Sequence, residues 1–155
     1  MEIDIILNEF ASPAEAAELG LMAERYGMRG VWSSNYAWSR DPFLTLSTLA
    51  QQSSTIRLGP MAISPAELHP LKMANLLFSL NEMSRGRAMI MVGGGGAVLQ
   101  AIGGKRQRMI RHARECLEIL KGASPDRQMN YKGELYKVWG SALQDRKSTR
   151  LNSSH

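Results

Sequence analysis

The sequence holds 155 residues, 44% of them hydrophobic and 21% charged, with a formal net charge of +5. That length and balance suit one domain with a real core and exclude a chain disordered throughout. No run approaches the ~18 apolar residues of a membrane span, the N-terminus lacks signal-peptide order, and the single cysteine, Cys116, excludes an internal disulfide or a cysteine metal cluster, so a cytoplasmic protein with no membrane partner is expected.

Taken in chain order, residues 2–8 are rich in β-branched side chains and read as a strand. Ser12, Pro13 and Glu15 then give an N-cap, a first-turn proline and a capping box, so a helix should run to about Tyr26 with Gly27 as its stop. Residues 30–35 form a second strand, and Asp41 with Pro42 opens a helix to about Ser53. Residues 55–64 form a third strand, and Pro70 starts a helix through Leu80. Residues 87–92, nearly all apolar, read as a fourth strand covered on both faces. Beyond the glycines, 109–122 form an amphipathic helix with Ile110, Cys116, Leu117 and Leu120 on its buried side, and 130–140 read as a short extended or hairpin segment with a turn at Lys132 and Gly133. Among the histidines, His69 reads as a helix-entry residue and His112 as part of a solvated face, and no His and carboxylate pair has metal-ligand spacing.

The net charge prompts the idea of a nucleic-acid partner, but the last eleven residues supply +2 of it through Arg146, Lys147 and Arg150 against Asp145. No basic stripe with interleaved aromatics supports that partner, so none is expected. The segment 145–155 shows no hydrophobic periodicity and resembles the translation of a sequencing-library adapter; a polar natural tail is the alternative. Residues 1–144 are then the domain.

Strand and helix units in regular succession imply parallel strands with right-handed helical crossovers. Two architectures fit: a doubly wound open sheet, or the first half of an eight-stranded barrel. In both, ligands meet the carboxyl ends of the strands, which directs attention to loops 8–11, 34–40, 59–68 and 93–96. Glu9, just past the first strand, is the one carboxylate near that end and is the acid or base candidate. The four glycines Gly93, Gly94, Gly95 and Gly96 fail both standard phosphate motifs. Gly103, Gly104 and Lys105 continue into Arg106 rather than Ser or Thr, and a GxGxxG frame puts Val98 or Leu99 in its third slot. What they offer instead is bare backbone against which a flat ring can lie.

The phrases VWSSNYAWSRDP, STIRLGPMAISPAELHP and LNEMSRGRAMIMVGGGG, in that order and spacing, resemble the luciferase-like monooxygenase superfamily, and within it the F420-dependent methylenetetrahydromethanopterin reductase branch. The resemblance spans residues 3 to about 139. It implies a TIM barrel, (β/α)8, of which this chain is the N-terminal half, a bound F420 or FMN, and hydride transfer at the ring. Family positions beside the ring fall on Asn35 and Tyr36, where an Asp-His pair is usual; Asn35 can hydrogen-bond but cannot serve as a general base. A non-proline cis peptide behind the ring falls on Met61 and Ala62. Leu68 stands where relatives carry an arginine, and Gly96 where some carry an acid. The implied function is hydride transfer between deazaflavin F420 and a small organic substrate, with a homodimer left open for the full-length protein. An FMN-dependent monooxygenase is the alternative cofactor reading, and an inactive piece with unpaired strand edges is the other.

Overall fold

The computed structural model describes residues 2–141; the segment 145–155 lies outside them. Strand β1 (Asp4–Ile6) is followed by α1 (Pro13–Arg25), β2 (Gly30–Ser34), α2 (Pro42–Thr45), α3 (Ser47–Gln52), β3 (Arg57–Ile63), α4 (Pro70–Met83) and β4 (Met91–Val92). Then come α5 (Ala97–Ala101), α6 (Met109–Gly122) and the strands β5 (Met129–Lys132) and β6 (Lys137–Ser141). No helix among the described residues is long and apolar enough to cross a membrane.

The first four strands pair in the order β1-β2-β3-β4, all parallel. Paired residues of a parallel sheet point to the same side, so the register separates two faces. Val31 and Leu58, paired to each other, are fully buried beneath the helices with Ala16, Ala17, Leu46, Leu49, Met73 and Leu80. On the other face Ile6 is 59% and Met91 42% exposed. Sequential strand order with one helix-covered face is the winding of a barrel; the doubly wound sheet, with helices on both faces and a reversal of strand order, is thereby removed. The fourth strand is correspondingly not covered on both faces. Only Met91 and Val92 are in it, joined upstream by an Ala88 bridge to Leu58.

Local chemistry accounts for the helix starts. Ser12 accepts from the Glu15 amide at 3.2 Å while Glu15 accepts from the Ser12 amide at 2.8 Å, which is the expected capping box. Asp41 caps α2 through the Leu44 amide at 2.9 Å. The helix expected over 42–53 is broken at Leu46, where the Thr45 and Ser47 hydroxyls bond back to the Asp41 and Leu44 carbonyls. Two half-buried charged side chains fasten the segment between α3 and β3. Glu24 of α1 accepts from the amides of Ser54, Thr55 and Ile56, and the Arg87 guanidinium donates to the carbonyls of Ala50, Ser53 and Ile56. Burial works against the Glu24 charge, but the Thr55, Ile56 and Ser54 amides outweigh it and bring its pKa down to about 2.

Helix α6 corrects its expected face. Cys116 is buried against Met73, and Leu120 packs on the main core, but Ile110 is 80% and Leu117 44% exposed. The buried positions are Glu115, Cys116 and Ile119, because the β5-β6 hairpin docks along that side and brings Tyr136 and Val138 onto Ile119. Both hairpin strands and the Gly133 turn fall where the sequence placed them. His112 is not on a solvated face: its Nδ1 lies 2.6 Å from the Tyr136 hydroxyl, which itself donates to the Pro65 carbonyl at 2.6 Å. His69 does enter α4, its Nδ1 accepting from the Leu71 amide at 3.2 Å.

Candidate functional site

At the carboxyl ends of β2, β3 and β4 the chain forms a cleft of about 230 Å³ lined by Asn35, Tyr36, Ala62, Glu67, the four glycines 93–96, Ala97 and Val98. Each strand contributes its exit. β2 delivers Asn35 and Tyr36, β3 delivers Ala62 and then Glu67, and β4 opens into the glycines.

The floor is set by β3. The peptide between Met61 and Ala62 is cis, and the pairing with β4 shifts register between Met61 and Ile63. The Met61 carbonyl accepts from the Asn35 amide at 3.0 Å, while its side chain is not part of the lining. Met61 thus contributes backbone, and Ala62 contributes surface. Glu9 sits half-buried in the turn after β1 and is not among the residues lining this cleft.

The glycines divide into two pairs. A Cβ on Gly93 would stand 2.9 Å from that of Ala62, and Gly95 has φ +83° with Leu99 Cδ2 only 2.8 Å from a built Cβ. Those two are demanded by the fold. A Cβ on Gly94 would make ordinary contact with Met109, and one on Gly96 would meet nothing within 4 Å. Their bareness serves no internal packing, and both are among the residues that line the cleft.

Polar chemistry comes from Asn35 and Glu67. The Asn35 Nδ2 donates to Glu67 Oε2 at 3.2 Å and to the Ala62 carbonyl at 3.4 Å. Beside them Tyr36 stacks on Trp38 with ring centroids 5.3 Å apart and planes 5° from parallel, although both rings are exposed. An exposed aromatic pair at a cleft mouth offers a flat apolar contact. No cationic side chain lines the cleft, and α5 behind the glycines is a five-residue helix, so the walls suit a ring with polar edges rather than a phosphate. Glu67 and Trp38 escaped the sequence reading. The signal available for Glu67 was its place in the 59–68 exit loop, but only the fold brings it onto Asn35.

The family model for luciferase-like monooxygenases matches residues 3–150. The chain belongs to that family. Among curated proteins the luciferase-like chain is 30% identical over 123 residues to 5,10-methylenetetrahydromethanopterin reductase of Archaeoglobus fulgidus, covering 79% of this chain and 37% of that one. Among solved structures it resembles the coenzyme F420-dependent tetrahydromethanopterin reductase of Methanopyrus kandleri, with a TM-score of 0.83 at 24% identity, over 95% of this chain and 48% of that one. It also resembles the oxygenating constituent of 3,6-diketocamphane monooxygenase from Pseudomonas putida, solved with FMN, with a TM-score of 0.75 at 19% identity, covering 95% and 46%. The luciferase-like chain therefore spans less than half the length of these relatives, and its four-stranded sheet is half of an eight-stranded parallel barrel.

Proposed function

We propose that this chain is the ring-binding half of an oxidoreductase in which a hydride passes between deazaflavin F420 and a small organic substrate. The observation that carries the reading is the cleft itself: three strand exits converge on bare backbone at Gly94 and Gly96, faced by a hydrogen-bonding amide at Asn35. A flat heteroaromatic ring fits that combination, since backbone can approach its face while Asn35 and Glu67 meet its polar edge. When bound, the deazaflavin supplies the carbon that takes or gives the hydride. The residues of this chain bind and orient. Asn35, Tyr36, Ala62 and Gly93 to Gly96 form the wall, the Tyr36 and Trp38 rings border it, and Glu9 stands back as the weaker acid or base candidate. A cleft of about 230 Å³ is smaller than the ~300–1,000 Å³ of complete small-molecule sites, in keeping with one wall of a site that the remaining barrel strands complete.

F420 is favoured by the reductase relatives, and a second reading as an FMN-dependent monooxygenase is favoured by the structural likeness to the FMN complex. Titrating the full-length protein that carries this chain with F420 and with FMN, and following ring absorbance, tests both. Perturbation by F420 with hydride exchange is the expected result; oxygen consumption with reduced FMN selects the second reading. No perturbation by either ring at saturation overturns the assignment.

A further inference from the structure

The Asn35 amide is held in one sense. Its Nδ2 faces the Glu67 carboxylate and the Ala62 carbonyl, both of which can only accept when the carboxylate is ionised. Turned over, the amide would set its own oxygen against two others, so Oδ1 is the atom directed away from them. Oδ1 has no donor among the described residues. Its backbone is pinned as well, through the Asn35 amide to the Met61 carbonyl.

Glu67 is itself anchored from outside the cleft. The amides of Glu67 and Leu68 both donate to the Ser64 carbonyl at 3.0 Å, the Ala66 amide donates to Ser64 Oγ at 3.2 Å, and the Tyr136 hydroxyl secures the Pro65 carbonyl from the hairpin. The turn is therefore fixed by four bonds that use none of the cleft-facing groups. The Asn35 and Glu67 side chains offer a ligand acceptor oxygen, with no cation among the lining side chains.

We propose that Glu67 is a positioning residue that holds Asn35 with Oδ1 presented to the cleft, and that the pair selects flat rings carrying an N–H donor on the edge they meet, an imide being the fitting class. This rests on the ring-binding reading above and adds to it which ring edge is read and by what. Deazaflavin and flavin rings both carry such an imide, so the chemistry is shared by either cofactor.

The test compares 8-hydroxy-5-deazaflavin and FMN, each with a free and an N-methylated imide, by absorbance titration of the full-length protein. Methylation should weaken binding to the natural protein about tenfold, the scale of one lost hydrogen bond with an acceptor left unpaired. Glu67→Ala should bind the free ring more weakly and lose most of that discrimination, because the Asn35 amide is released to rotate. Glu67→Gln, whose side-chain oxygen still accepts from Nδ2, should rescue it. Should Glu67→Ala fail to fold by near-ultraviolet circular dichroism, Glu67→Asp, one methylene too short to reach, carries the same expectation. Equal binding of free and methylated rings, or full discrimination retained without Glu67, overturns this inference while leaving ring binding intact. Absence of binding by any ring overturns both.

Discussion

Two glutamates less than fifty residues apart in sequence do opposite work. Glu115 on α6 is buried and accepts from the amides of Glu134, Leu135 and Tyr136, each at 3.0 Å. Burial opposes its charge, yet the Leu135, Tyr136 and Glu134 amides hold its pKa below the ordinary carboxylate value. Glu67 is half-buried at a cleft and holds a single side-chain amide. A carboxylate saturated by its own backbone is a structural fastening, and one with a partner only on one oxygen keeps capacity for a ligand. The contrast locates function better than charge or burial alone, since both residues are acidic and neither is fully exposed.

Breaking the saturated one should have the largest effect. Glu115→Ala strands three amides at the hairpin turn, and at about 1–3 kcal/mol for each unpaired buried group, partly relieved by water, a loss of about 3 kcal/mol is expected. A thermal melt of this chain would then fall on the order of 10 °C, whereas Glu67→Ala should shift it far less. Equal losses for the two would erase the distinction.

Acid should act next, through the same class of contact. Glu24 has a folded-state pKa of about 2 against an ordinary 4.5, so its contribution is present above pH 4.5 and drains away as pH falls from there toward 2. Asp4, bonded by Arg29 and Trp32 and also near 2, titrates over a neighbouring window that begins at its ordinary 3.8. Denaturant midpoints measured between pH 6 and pH 3 should decline, and Glu24→Gln should be less stable at pH 6 with a flatter decline. A slope unchanged in that variant would show that Glu24 is not the group titrating.

What the sequence made legible follows from what is local. The capping box at Ser12 and Glu15, the helix entry at His69 and Pro70, the parallel succession of strands and the Gly133 hairpin all depend on neighbours in the chain, and all stand in the structure. The resemblance placed Asn35, Tyr36, Met61 and Ala62 and the residues themselves pointed to the glycines; all of these but Met61 line one cleft. Long-range packing was less readable. Nothing near α6 announces that a hairpin will cover Glu115 and Ile119 and leave Ile110 in water. Nor does the apolar run before the glycines reveal that one face of β4 stays open. Glu67 was missed for the same reason: its partner is 32 residues away, and a turn organised by Ser64 decides where it points.

The smallest effect on stability is expected at the glycines, and it sharpens the comparison most. Gly95→Ala places a side chain at φ +83° and against Leu99, which should cost at least about 1–2 kcal/mol. A Cβ from Gly96→Ala meets nothing within 4 Å, so the melt should move less than for Gly95→Ala. If the cleft receives a flat ring, that harmless methyl group stands where the ring must approach, and affinity for the ring should drop severalfold while stability holds. Stability lost at Gly96 would return this glycine to the fold's own requirements, and unchanged affinity would move the ring elsewhere along the strand ends. A stable Gly96→Ala protein with weakened ring binding would place the ligand against bare backbone there, on the same wall as Glu67.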